Sequence, residues 1–213
     1  MPADPALDAA ARAARALAGR PGASIERVRG YGRNSGVYRV DTAGAAYALK
    51  QYPPRQPNDR DRASIEYAAL RFLTGHGVTT VPRPIAVDAA GGYLLLEWIE
   101  GDPVETPIAA DIATACNFLR AVHSLRGESD ATAQPMAAEA CISAAETVAQ
   151  IEQRLARLAV VTDEPALVAF VHDTLEPLFG EVSTWARAGY TSAGFSFAAE
   201  ASAQTPCPAD FGF

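Results

Sequence analysis

The sequence predicts an α+β fold in two lobes, the first built on a five-stranded antiparallel sheet with one helix, the second helical. Three observations carry that expectation. Short strand-like runs fill Ile25 to Lys50 and recur at Pro84–Val87 and Tyr93–Glu97, a helical pattern separates the two groups, and beyond Gly101-Asp102-Pro103 the strand signal stops. Strands gathered at one end of the chain and helices at the other are the α+β pattern.

Taken in order, residues 5–18 are rich in alanine, the strongest helix former, and Gly19, Pro21 and Gly22 end the helix they predict. The runs IERVRG, GVYRV and AAYALK then read as a β-meander, with Asp41-Thr42-Ala43-Gly44 as the turn between the last two. After Pro53-Pro54 and a polar stretch, Ala63 to Leu73 carries Ile65, Ala69, Phe72 and Leu73 near helical spacing. Val81-Pro82-Arg83-Pro84 favours extended backbone, because each proline restricts the residue before it. Two strands follow, turned by Ala90-Gly91-Gly92. Ala109–Leu125, Ala138–Leu158 and Pro165–Trp185 read as helices. In the second, Val148, Ile151, Leu155 and Leu158 form a stripe expected to be buried; in the third, Asp163 lies near the cap and Pro165 suits the first turn. Thr191 to Pro208 reads as a loop. The expected organisation is a helix and linker over residues 1–22, a sheet lobe and connector over 23–101, and a helical lobe over 102–213.

The chain of 213 residues is long enough to bury a core, and 49% apolar with 20% charged residues is a globular composition. A formal charge of −7 without any Lys/Arg run argues against a nucleic-acid partner. Cys116, Cys141 and Cys207 are far apart and lack zinc-site spacing, so they are expected to be reduced, packed thiols. With no apolar run of membrane-spanning length and no secretory h-region near the N-terminus, the expectation is a cytoplasmic protein without a membrane partner.

Four stretches carry candidate chemistry. Gly30-Tyr31-Gly32-Arg33-Asn34-Ser35-Gly36 lies between the first two strands, where backbone N–H groups could approach phosphate oxygens; Gly32, Ser35 and Gly36 are the candidate contacts, and an ordinary glycine hairpin is the other reading. Lys50 ends the third strand. Alone it is more often a solvated strand end than a ligand, and Glu66, sixteen residues on, alone is a solvated helix face. Together they suit a strand ammonium held at phosphates by a helix carboxylate. Leu94-Leu95-Leu96-Glu97-Trp98-Ile99-Glu100-Gly101 runs from an apolar strand into a polar connector, which is either a plain linker or a hinge whose backbone, at the Glu97 carbonyl and the Ile99 N–H, reads adenine.

The glycine turn, Ala48-Leu49-Lys50, Glu66 and the Leu-Leu-Glu-Trp-Ile-Glu-Gly connector together resemble the aminoglycoside phosphotransferase/choline kinase-like family, over nearly the whole chain. That resemblance implies a protein kinase-like fold, ATP and Mg²⁺ as cofactors, and transfer of a phosphoryl group to a hydroxyl of a small molecule. Pro208-Ala209-Asp210-Phe211-Gly212-Phe213 resembles a variant of the family's catalytic loop, with proline in place of the usual first histidine, and puts the catalytic aspartate on Asp210. It would orient the acceptor hydroxyl and take its proton.

Asp210-Phe211-Gly212 also spells the magnesium motif of protein kinases, but no His-Arg-Asp loop precedes it, so that assignment is rejected. The magnesium ligands implied by the resemblance are expected beyond residue 213, which makes a truncated chain without turnover the expectation. A non-catalytic kinase-like binding module is the alternative. His123 reads as a structural histidine, His76 as a loop residue, and Trp98 and Trp185 as packing residues. Acceptor identity and oligomeric state are not written in these residues.

Overall fold

The computed structural model describes residues 5–28, 35–54, 60–102, 104–135, 143–198 and 204–206. Its elements are α1 (Pro5–Ala18), β1 (Ser24–Val28), β2 (Gly36–Thr42), β3 (Ala45–Gln51), α2 (Arg62–Gly75), β4 (Pro84–Asp88), β5 (Tyr93–Glu97), α3 (Ala109–Ser124), α4 (Ala144–Ala159), α5 (Pro165–Phe170) and α6 (Glu176–Ser192). This is the α+β class that the sequence predicts. The elements from α1 to the two short 3₁₀ turns after α3 make one compact unit, and α4 to α6 make a second.

In the first unit the five strands pair antiparallel in the order β1-β2-β3-β5-β4, which puts β3 at the centre. The chain leaves β3 through α2, lays β4 on the edge, and returns with β5 into the gap. A proline at the start of β4 and a register shift between Pro84 and Ala86 suit an edge strand, where a missing ladder donor is tolerated.

Both faces of the sheet are covered, which explains why β5 is a continuous apolar run instead of an alternating one. On one face Ala10 and Ala14 of α1 pack against Tyr38, Val40, Leu49, Tyr93 and Leu95. On the other, Leu70 of α2 packs against Leu94 and Leu96, with Ala48, Tyr52 and Tyr67 at the margin. Alternation along β3 therefore sends Leu49 to the α1 face and Lys50 to the α2 face. A third cluster, Phe72, Val78 and Leu125 with Phe118 beside it, ties the end of α2 to the end of α3.

α2 begins where Asp61 accepts hydrogen bonds from the Ser64 backbone N–H at 3.0 Å and the Ser64 hydroxyl at 2.8 Å, satisfying donors the first turn leaves open. It ends in a Schellman turn: Val78 N–H donates to the Leu73 carbonyl and Gly77 N–H to Thr74, with Gly77 at φ +81°. α6 ends the same way, Phe195 N–H to Tyr190 and Gly194 N–H to Thr191, with Gly194 at φ +74°. That second turn explains why the helix runs to Ser192, past the Trp185 expected from periodicity. Between α5 and α6 a single π turn, Val171–Leu175, continues the same helix. α5 is capped at Glu164, without a side-chain hydrogen bond.

The second unit departs from expectation in burial. Val148 of α4 is buried, but Ile151 and Leu158 of the same stripe are 39% and 37% exposed, and Trp185 on α6 is 75% exposed. Spacing decides which face of a helix is apolar; it does not provide the neighbour that covers it. Cys116, expected to be packed, is a free thiol on the exposed part of α3 for the same reason. Cys141 and Cys207 lie outside the described residues. Among the described residues no helix is long and apolar enough to cross a membrane.

Candidate functional site

The α2 face of the sheet holds the candidate site. Cross-strand pairing puts Val37 opposite Lys50 and Arg39 opposite Ala48 on β2 and β3, and Lys50 opposite Leu94 on β5, so these side chains share one surface. On α2, Ala63, Glu66 and Leu70 stand three and four residues apart and form one stripe, because residues at those intervals lie one above the other. A carboxylate thus interrupts an otherwise apolar stripe. It faces Lys50.

Lys50 Nζ donates to both oxygens of Glu66, at 3.0 Å to Oε1 and 2.7 Å to Oε2. The two side chains are 28% and 30% exposed, so water reaches the pair without dispersing it. Tyr52, two residues further on and therefore on the same face, brings its ring centroid to 5.2 Å from the ammonium. An ammonium has three donors. With two turned to Glu66, it is oriented and keeps a donor for an anion. Tyr52 went unrecognised as a site residue in the sequence, where it reads as the start of a proline-rich connector. Its period-two spacing from Lys50 is the signal that could have found it.

At the β2 end of the glycine turn, Ser35 and Gly36 are described, whereas Gly32 lies outside the described residues. Gly36 pairs with Gln51, and on the α1 face Tyr38 donates its hydroxyl to Gln51 Oε1 at 2.9 Å while Gln51 Nε2 donates to the Tyr93 hydroxyl at 3.1 Å. This chain of hydrogen bonds crosses β2, β3 and β5. Burial raises the Tyr93 pKa above its ordinary value, so its hydroxyl stays protonated and available to the network.

The connector after β5 is fastened at two points. Upstream, the Glu97 N–H donates to the Arg83 carbonyl at 2.9 Å, and the Glu97 carboxylate accepts from the Arg83 N–H at 3.3 Å. Downstream, Arg39 of β2 reaches across: its Nε donates to Asp41 at 3.0 Å, its terminal nitrogen to Glu100 at 3.0 Å, and its guanidinium carbon stands 4.8 Å from the Trp98 ring centroid. The hydrogen bond to Asp41 does most to push the Arg39 pKa further upward; desolvation opposes it, and the charge of Asp41 and the contact with Glu100 add to the rise. Trp98 is half-buried and packs, as expected. Ile99 is 55% exposed.

Asp210 lies outside the described residues. Among the described residues no cluster of three or more His, Cys, Asp or Glu is arranged to hold a metal ion. His123 is exposed beside Leu119, Arg120 and Ser124 on α3. His76 lies in the turn just past α2, as its C-cap: it packs on Phe72 with ring centroids 4.7 Å apart, and its Nε2 lies 3.0 Å from Asp130.

A strand lysine clasped by a carboxylate from the following helix, on a five-stranded antiparallel sheet, is the arrangement of the kinase-like phosphotransferases. Residues 24–180 match the profile described as the phosphotransferase enzyme family, and the chain belongs to that family. No curated protein sequence matches the chain significantly. Among solved structures, a candidate fructosamine-3-kinase from Thermobifida fusca is 23% identical, with 76% of this chain and 61% of that one covered at a TM-score of 0.49. A candidate aminoglycoside phosphotransferase from Ralstonia eutropha is 14% identical over 78% of this chain and 51% of that one, TM-score 0.44. An ethanolamine kinase from Plasmodium vivax is 14% identical over 78% and 47%, TM-score 0.45. The chain therefore spans from about half to three-fifths of the length of these structures.

Proposed function

We propose that this chain supplies the nucleotide-handling part of an ATP-dependent phosphotransferase whose acceptor is a hydroxyl of a small molecule. The observation that carries the proposal is the Lys50 ammonium, held by both oxygens of Glu66 at 2.7 and 3.0 Å beside the Tyr52 ring. Phosphoryl transfer leaves the protein little covalent chemistry to perform, so catalysis rests on positioning and on charges fixed in advance. A lysine that is oriented before nucleotide arrives meets that requirement.

In this reading Lys50 holds the phosphates, Glu66 and Tyr52 hold Lys50, and the backbone of Gly32, Ser35 and Gly36 lies along the phosphates. Adenine lies on the connector, against the Glu97 carbonyl and the Ile99 N–H. Asp210 orients the acceptor hydroxyl and accepts its proton. Mg²⁺ is the metal that the family resemblance implies; it would neutralise charge on the phosphates, and no described residue is assigned to hold it. A cytoplasmic location agrees with use of ATP.

The test is calorimetric titration of the chain with ATP, with and without Mg²⁺, followed by assay of ADP release with a panel of acceptors including amino sugars, aminoglycosides, ethanolamine and choline. Saturable ATP binding that Lys50→Met weakens by about tenfold is the expected result, the scale of one lost charge-assisted contact. A folded chain that binds no ATP under either condition overturns the proposal and favours a non-catalytic module of the same fold.

A further inference from the structure

We infer that Arg39 is a positioning residue for base recognition, a latch that ties β2 to the connector and sets the backbone that faces adenine. The inference rests on the nucleotide reading above and adds to it a residue and a division of labour.

The argument begins with geometry. Asp41 stands two residues from Arg39 on one strand, hence on the same face, and takes the guanidinium Nε at 3.0 and 3.3 Å on its two oxygens. That contact aims the rest of the fork away from the strand. The terminal nitrogen then meets Glu100 at 3.0 Å, and the plane of the group lies by the Trp98 ring. One side chain thus grips alternate connector residues, 98 and 100. Between them lies Ile99, and just before them Glu97, whose N–H is already anchored on Arg83.

Trp98 strengthens the case. Its Nε1 is buried and has no hydrogen-bond partner, although a buried indole N–H normally finds one. The ring is therefore held by packing and by the guanidinium beside it, not by a bond of its own. An isolated exposed ion pair contributes little, and Glu100 at 73% exposure would not alone fix a backbone. The joint use of a fork, a second carboxylate and an aromatic face is what makes arginine different from lysine here. Arg39 contacts neither Lys50 nor Glu66, so its effect on the base should separate from any effect on phosphates.

The experiment compares the full chain with Arg39→Ala, Arg39→Lys and Glu100→Gln. Each is titrated with ATP and with inorganic tripolyphosphate, and hydrogen exchange is followed over residues 98–101. If release of the latch leaves the connector competent about a tenth of the time, ATP affinity falls about tenfold in both Arg39 variants, because apparent affinity scales with the competent fraction. Tripolyphosphate affinity stays within about twofold, and exchange at 98–101 accelerates. Glu100→Gln, which leaves the strand intact, shifts ATP affinity in the same direction by less and decides the matter if Arg39→Ala fails to fold. Wild-type ATP affinity retained in Arg39→Lys and Glu100→Gln, or equal loss of ATP and tripolyphosphate, overturns the latch while the nucleotide reading stands. A wild-type chain that binds neither ligand overturns both.

Discussion

Removing the Glu66 carboxylate from Lys50 is the perturbation that most directly tests the site. At 2.7 Å the gross attraction between unit charges is about 6 kcal/mol at an effective dielectric constant of about 20. Most of that is offset, since both side chains lose part of their hydration and their rotamer freedom to meet, and both remain close to 30% exposed. The net coupling should lie near the upper end of the range for solvent-accessible pairs, about 1 kcal/mol. In a chain of this size that corresponds to roughly 2–4 °C in Tm. The assay is a double-mutant cycle of wild type, Lys50→Met, Glu66→Gln and the double variant, melted at low and at high salt. The two single variants should together lose about 1 kcal/mol more stability than the double variant does, and the excess should shrink as salt screens the pair. A coupling below about 0.3 kcal/mol, or one that grows with salt, would refute the claim that these groups hold each other in solution.

Further outcomes are expected elsewhere. Leu49 is completely buried on the α1 face of the central strand, so Leu49→Ala should cost about 2–5 kcal/mol and give an early denaturant midpoint; a loss under 1 kcal/mol would mean that α1 does not cover that face. His172 has a raised pKa, first because of its hydrogen bond to Asp173 at 2.9 Å and then because of the charges of Asp173 and Glu176. Its favourable contribution is therefore full below the ordinary histidine pKa and disappears as pH rises through the higher folded value; Asp173→Asn should lower the NMR midpoint of the His172 ring, and an unchanged midpoint would contradict this account. If Asp210 is the proton acceptor, Asp210→Asn in an enzyme shown to turn over should abolish phosphoryl transfer and spare ATP binding, whereas a joint loss would point to a structural role.

Part of this protein can be read directly from residue order. Strand runs, proline and glycine punctuation and the change of period after Gly101 are local properties of backbone and side chain, so the five strands and their order relative to the helices follow from them. The Lys50–Glu66 relation is also legible, as spacing, once strand and helix are assigned. Its geometry is less so. Reading α2 from Ile65, Ala69 and Phe72 suggests one buried stripe, whereas the helix buries Ala63, Leu70 and Phe72, with Glu66 on the stripe between the first two. The Asp61 cap and the packing against β5 together decide that phase.

What only the tertiary structure decided is which side chains from distant segments share a surface, and which apolar faces find cover. Arg39 and Glu100 are 61 residues apart and Gln51 and Tyr93 are 42 apart, and nothing in either neighbourhood marks them as partners. They meet because β5 inserts beside β3 after the chain has passed through α2 and β4, an order that short-range patterns do not encode. Likewise, apolar spacing in α4 and the presence of Trp185 in α6 say that a face could be buried, but burial requires a neighbour, and the neighbour is a property of the whole fold.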